Sequence, residues 1–241
     1  MKKYFISLAL IVSCLYASAQ LNNVAVIALS ANDGIRTEGF EDVAINTMSD
    51  LFMGQEFNIN EELEKFKTYL FNELATEFPF ILIEEETILS NEKFIVFKDA
   101  FAESTTGKVS KRIPFEGYSH YLGLYKKPTT ELSEIFETAD AFMVVQIDFN
   151  IAPKTMIGGS GAAGGKAKAS ISLYHKSGKR LMYLVASGMS ESSIKVVAEQ
   201  IVSSRDDIPG TLSEASEQLY VEMKEKLPTK IKKLEKKLSK I

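Results

Sequence analysis

"GGSGAAGGKAKASISLYHK", residues 158–176, carries five glycines up to a lysine. It is either a phosphate-cradling loop that opens a helix or a connection between two strands, and the fold turns on which. A Walker-type loop needs a glycine five residues before its Gly-Lys pair, a Ser or Thr after the lysine, and a helix whose N-terminal amides face the anion. Here Ser160 stands in the first position and Ala167 follows Lys166. Ala167, Ala169, Ile171 and Leu173 then alternate with Lys168, Ser170, Ser172 and Tyr174. Period two is a half-buried strand, not a helix. The glycines therefore read as a flexible strand connection, and no nucleotide site is expected.

Working outward, "DAFMVVQIDFNIA" (140–152) alternates from Met143, with Met143, Val145, Ile147, Phe149 and Ile151 on one side and Gln146, Asp148 and Asn150 on the other. One face is expected in the core and the other partly wet. Downstream, Ser177-Gly178 suits a two-residue hairpin turn, from which "RLMYLVASGMS" (180–190) returns antiparallel. Two further runs, "NVAVIAL" (23–29) and "FILIE" (80–84), are apolar enough to be strands buried on both faces. Between them Asn60 is expected to cap a helix with Leu63, Phe66, Leu70, Leu74 and Phe78 on its face, ended by Pro79. Residues 30–60 read as an ordered loop with one short helix.

A ragged helical pattern spans 85–101, and Thr130 is expected to cap a helix bearing Leu132, Ile135, Phe136 and Ala139. "TLSE" (211–214) has the form of a capping box that opens a helix with Leu212, Ala215, Leu219 and Met223 on one face. Pro228 is expected to break or kink it. The order is β-α-β-α-α-β-β-β-α: a mixed α/β fold with one five-stranded mixed sheet flanked by helices. The first three strands are separated by helices, as parallel neighbours require, and the last three form a meander. One domain is expected over 20–228, with 229–241 as a basic amphipathic helical extension.

Residues 1–19 have the form of a secretory signal peptide, with Lys2 and Lys3, an apolar run from Tyr4 to Val12 and "ASA" before Gln20. Export to a periplasm or the extracellular space follows. Cys14, the single cysteine, sits in "IVSC", which resembles a lipobox and keeps a lipid-anchored envelope protein open as the alternative. Cleavage after Ala19 would leave no cysteine for disulfides, metal thiolates or nucleophilic catalysis. Residues 20–223 carry 18 basic and 30 acidic groups, net −12, whereas 224–241 carry 8 and 2, net +6. So acidic a body argues against nucleic acid as a partner.

The element order, with "NVAVIAL", "NELATEFPFILIEEE", "TADAFMVVQIDF" and "ASISLYHKSGKRL" in sequence, resembles the periplasmic α/β domain shared by curli-secretion-channel-like lipoproteins and the N-terminal domain of TolB. The resemblance covers most of 23–227 and implies a cell-envelope protein that works by assembly or partner binding, with no reaction centre to carry over. No pair of long amphipathic hairpins is evident for a membrane barrel, so pore formation is not implied.

Chemistry-bearing residues are few. His120 and His175, the only histidines, lack the convergent carboxylates of a zinc site and read as surface or partly packed side chains. "GMSES" (188–192) lacks the final glycine of a nucleophile elbow and follows an antiparallel strand. Glu84, Glu85 and Glu86 read as a solvated helix start, and Asp148 as an acid facing solvent or Lys168. No catalytic residue, metal or cofactor is implied. Two candidate surfaces stand out. The loop "FEGYSHYLGLY" offers Tyr118, Tyr121 and Tyr125 to a partner, unless it folds back to cover the sheet. The tail "KIKKLEKKLSKI" presents Ile231, Leu234 and Leu238 amid lysines and could zip onto a partner helix, lie on an anionic membrane, or pack on its own acidic body. The expected role is a non-enzymatic envelope protein that binds a protein partner or forms a homo-oligomer. The alternative is a binding protein for a small molecule or glycan in a groove beside the sheet.

Overall fold

The computed structural model describes residues 21–32, 34–39, 58–105, 112–119, 126–197, 200–201, 203 and 207–239. The signal-peptide region with Cys14, most of the polar stretch before residue 58, His120, Tyr121 and Tyr125 lie outside them.

The glycine-rich stretch is one arm of a long hairpin. Strands β5 (Ala141–Ile157) and β6 (Ser160–His175) pair antiparallel from Ala141↔His175 to Ile157↔Ser160. Gly158 and Gly159 form the turn with φ of 57° and 78°. Positive φ at both central residues is what a tight hairpin of right-twisted strands requires and what side chains resist. β6 thus begins at Ser160, seven residues before the alternation becomes visible at Ala167. Its first residues are too small to show a hydrophobic pattern. Strand β7 (Arg180–Met189) returns antiparallel along β6. On the other side β1 (Asn23–Asn32) runs parallel both to β5 and to the short β3 (Ile81–Leu82). The mixed sheet and its parallel and meander halves are as the sequence order implies.

Among the described residues, four short strands enlarge the sheet to nine: β2 (Arg36–Thr37), β4 (Arg112–Pro114), β8 (Ile194–Val197) and β9 (Gln200–Ile201). Segments of two to four residues have no periodicity to read; their pairing partners define them, distant in sequence for β2, β4 and β8 and adjacent for β9.

Helices α1 (Ile59–Asn72) and α5 (Asp207–Leu238) cover one face. Leu63, Phe66, Leu70, Leu212, Leu219 and Met223 share a core there with Met143, Val145, Ile147 and Phe149. The opposite face is covered near β1 and the start of β5 by α2 (Glu85–Leu89), α3 (Glu92–Thr105) and α4 (Lys126–Ile135). Ile88, Phe94, Leu132 and Phe136 pack there on Phe142, Val144 and Tyr174.

Several helix boundaries differ from expectation. The cap of α1 is Asn58, whose side chain accepts from the N–H groups of Asn60 and Glu61. The ragged pattern at 85–101 is two helices, the second begun by Asn91 Oδ1 accepting from Phe94 N–H at 3.1 Å. Pro128 lies in the first turn of α4, where its missing N–H costs nothing, and Thr130 is internal. In α5 the expected capping box is interior: Thr211 Oγ1 donates to Ile208 O at 2.8 Å, and Glu214 reaches a different segment. Nor does Pro228 end the helix, which runs on to Leu238. Proline removes one N–H and crowds the carbonyl four residues back, but Leu227, Leu234 and Leu238 on either side are buried in the core and hold the axis.

Candidate functional site

Asp148 lies directly across from Lys168 in the β5–β6 register. Its carboxylate nevertheless accepts from Arg112 Nη1 of β4 at 2.6 Å. The same guanidinium donates to Ser30 Oγ (3.1 Å), Ser30 O (3.2 Å) and Ile147 O (2.9 Å). Arg112 is only 8% exposed and Asp148 is 37% exposed. A buried guanidinium with four of its five N–H donors engaged is a clamp between β4, β1 and β5, not a group free for chemistry. Because β4 is three residues long, nothing in the sequence pattern pairs Arg112 with Asp148.

The serine-bearing "GMSES" segment is a tied turn. Ser190 Oγ accepts from Gly165 N–H (3.0 Å) and donates to Ser192 O (2.9 Å). Glu214 of α5 accepts from Ser192 N–H and Oγ, and those bonds hold its carboxyl below the usual range. Lys154 Nζ donates to the carbonyls of Ser190, Glu191 and Ser192 at 2.8, 2.6 and 3.1 Å. An ammonium inside a ring of carbonyls closes the turn beneath the hairpin. Of the described residues, the one histidine, His175, stands at the opposite end of β6 from Gly165 and is no base for this turn.

Tyr118 is buried, and its hydroxyl donates to Glu85 at 3.0 Å. Burial first and the Glu85 charge second push its phenol well above the usual value. For Tyr118 the loop thus folds back as a cover, and its ring is not a surface contact. Glu84, Glu85 and Glu86 do stand at the start of α2, with Glu84 and Glu86 exposed, but Glu85 is also paired with Lys67 at 3.4 Å. His175 ends β6 with Nδ1 accepting from Ser177 N–H at 3.2 Å, inside the hairpin turn; burial and then Lys176 lower its pKa.

The tail residues Leu234 and Leu238 are buried and Ile231 packs against the same core. Of the three dispositions weighed for the tail, packing on the chain's own body describes them. The apolar stripe therefore faces inward, and the lysines occupy the rest of the helix surface. Two of them reach over the sheet: Lys226 Nζ donates to Val185 O at 3.4 Å and Lys237 Nζ to Leu181 O at 2.7 Å, both carbonyls of β7. Lys230 and Lys233 fall between them at steps of four and three, on the same side of the helix. This row, Lys226, Lys230, Lys233 and Lys237, is legible as spacing once the apolar stripe is set aside. On another flank of α5 a groove of about 380 Å³ is lined by Glu77, Lys224, Leu227, Pro228, Ile231 and Lys232, with Glu235 at its rim. Elsewhere on α5, Tyr220 stacks on Tyr69 of α1 with ring centroids 4.3 Å apart. Among the described residues no cluster of His, Cys, Asp and Glu could hold a metal, and no helix is long and apolar enough to cross a membrane.

The fold and surface define a mixed α/β protein whose last helix seals one face of the sheet and displays a basic ridge beside the edge strand β7. No family model matches the chain, and no curated protein does. Among solved structures, two of those loosely similar can be named. One is the lipoprotein GNA1162 from Neisseria meningitidis, at 10% identity and TM-score 0.33, over 69% of this chain and 81% of that one. The other is the hypothetical protein CT253 from Chlamydia trachomatis, at 11% identity and TM-score 0.40, over 88% and 98%. Likeness at this level assigns no activity or partner. The resemblance to curli-channel and TolB domains is carried by element order alone.

Proposed function

We propose that this is an exported, non-catalytic protein of a Gram-negative cell envelope that works through contact with another protein, at the lysine-bearing side of α5. One observation carries the reading: the row from Lys226 to Lys237 is mounted on a helix anchored by Leu227, Leu234 and Leu238, so a basic ridge is held rigidly against a body of net −12. Rigid, concentrated charge of one sign steers and orients an oppositely charged partner. A membrane surface suits the ridge less well, because the apolar residues that an interfacial helix inserts are buried in the core. Crosslinking in the native cells, followed by capture, tests the reading. The mature chain is expected to retain a partner that a variant with Lys226, Lys230, Lys233 and Lys237 all changed to Gln loses. An identical set of captured proteins from both would overturn it.

The groove beside Pro228 favours a second reading, a binding site for a small molecule or glycan. Its apolar floor of Leu227, Pro228 and Ile231 between Lys224, Lys232 and Glu77 combines contact area with a few polar groups. A ligand-dependent rise in melting temperature that Ile231→Glu abolishes would support this site.

A further inference from the structure

We infer that the outer edge of β7 accepts an extended acidic segment of another protein as an added strand, with the lysine row of α5 meeting its carboxylates. This rests on the reading of α5 as a partner-binding surface and specifies how the partner is held.

Ser190 N–H donates to Gly165 O at 2.9 Å, which sets the alternation of the β6–β7 ladder. Residues 182, 184, 186 and 188 therefore bond β6, while Tyr183, Val185 and Ser187 turn their backbone groups outward. Among the described residues no strand pairs with that edge. β7 is ten residues long, enough for a full strand of partner. Open edges of this length recruit other chains unless they are blocked. Here the block is two flexible side chains, Lys226 on Val185 O, its ammonium also paired with Glu222 at 2.5 Å, and Lys237 on Leu181 O. An incoming strand offers its own N–H groups to those carbonyls and, at alternate positions, acids to the released ammonium groups.

Charge selects the occupant. Antiparallel pairing of two β7 strands would leave both sheets' α5 helices on the same face and set two lysine rows side by side, which like charges oppose. An acidic strand replaces that repulsion with attraction. Tyr183, 44% exposed with Arg180 stacked on its ring at 4.9 Å, offers a cross-strand neighbour on the opposite face.

The test uses the full mature chain and a fluorescent peptide of alternating Thr and Glu, about ten residues long to match the span of a strand. A second peptide has the same sequence with every other backbone amide methylated. The parent is expected to bind saturably, and the methylated peptide about tenfold or more weaker, because its charge is intact but one ladder of donors is gone. Lys226→Gln with Lys237→Gln should weaken the parent peptide. Val185→Pro, which removes only an outward N–H, should abolish binding while leaving the circular dichroism spectrum unchanged. Equal binding of both peptides would overturn strand addition and leave the basic ridge as a simple electrostatic contact. Binding of neither would overturn this inference even if crosslinking still captured a lysine-dependent partner, so the two readings fail separately.

Discussion

Gly165 and Gly188 lie beneath α5 where its backbone touches the sheet. A Cβ on Gly165 would stand 2.3 Å from Thr211 O, and one on Gly188 would stand 2.1 Å from Ala215 O. Helix backbone cannot yield as a flexible side chain can. Gly165→Ala or Gly188→Ala is therefore expected to cost about 2–3 kcal/mol through overpacking, read as a lower urea midpoint at unchanged slope. Gly210 lies in the first turns of the same helix with open space around it. Gly210→Ala should instead stabilise by about 0.5–1 kcal/mol through helix propensity. At the Arg112 clamp, Asp148→Asn removes the countercharge of a guanidinium that stays buried. A loss of about 1–3 kcal/mol is expected in the same assay. These roles were only partly legible. The glycines were visible as strand residues, but which of them meet a helix depends on residues 46 positions away for Gly165 and 27 for Gly188.

At the scale of the element, α5 carries both the stability and the proposed function, on different sides. Leu234 is 1% exposed, so Leu234→Ala should cost about 2–5 kcal/mol by opening a cavity. Lys230→Ala on the outer side should change stability by no more than about 0.5 kcal/mol. Chemical denaturation of the two variants checks the contrast; similar effects would mean that the helix is not seated as described. A chain ended at Pro228 would lose Leu234 and Leu238 from the core, so truncation confounds folding with binding, and the four-lysine substitution does not. The amphipathic pattern after Pro228 was plain in the sequence. Whether its apolar side met a partner, a membrane or the protein's own sheet was not, because all three present the same apolar surface to the helix. The helix start was misplaced for a related reason: Thr211 and Glu214 fit a capping box, yet the chain is already helical from Asp207 and Glu214 instead ties the Ser192 turn.

For the molecule as a whole, alkaline pH probes the packing of the larger core, which holds Tyr69 and Tyr118 with Tyr220 packed against it. Burial, then the charges of Glu73 and Glu77, push the Tyr69 phenol from an ordinary 10.0 to about 12. Tyr118 and Tyr220 are also raised, each by burial first. A phenol whose folded pKa exceeds its unfolded value holds its proton more tightly when folded. Its contribution is therefore complete below pH 10 and falls as the pH climbs through that of the folded phenol. Spectrophotometric titration should show Tyr69, Tyr118 and Tyr220 ionising late, together with unfolding. Ionisation of Tyr69, Tyr118 and Tyr220 near pH 10, with the fold intact, would contradict their burial.

Local chemistry written in the chain determined the succession of long strands and helices, the mixed sheet, the rejection of a phosphate loop at 158–176 and the segregation of acid and base between body and tail. Period two, period 3.6, turn glycines and charge counts act between near neighbours, and a single sequence displays them. Tertiary structure alone decided that Asp148 meets Arg112 instead of Lys168, that Tyr118 is a cover, that Leu234 and Leu238 complete the core, and that lysines guard the edge of β7. Each of those outcomes is a competition among partners far apart in the chain. Burial and geometry choose between them, and neither is expressed in the spacing of residues.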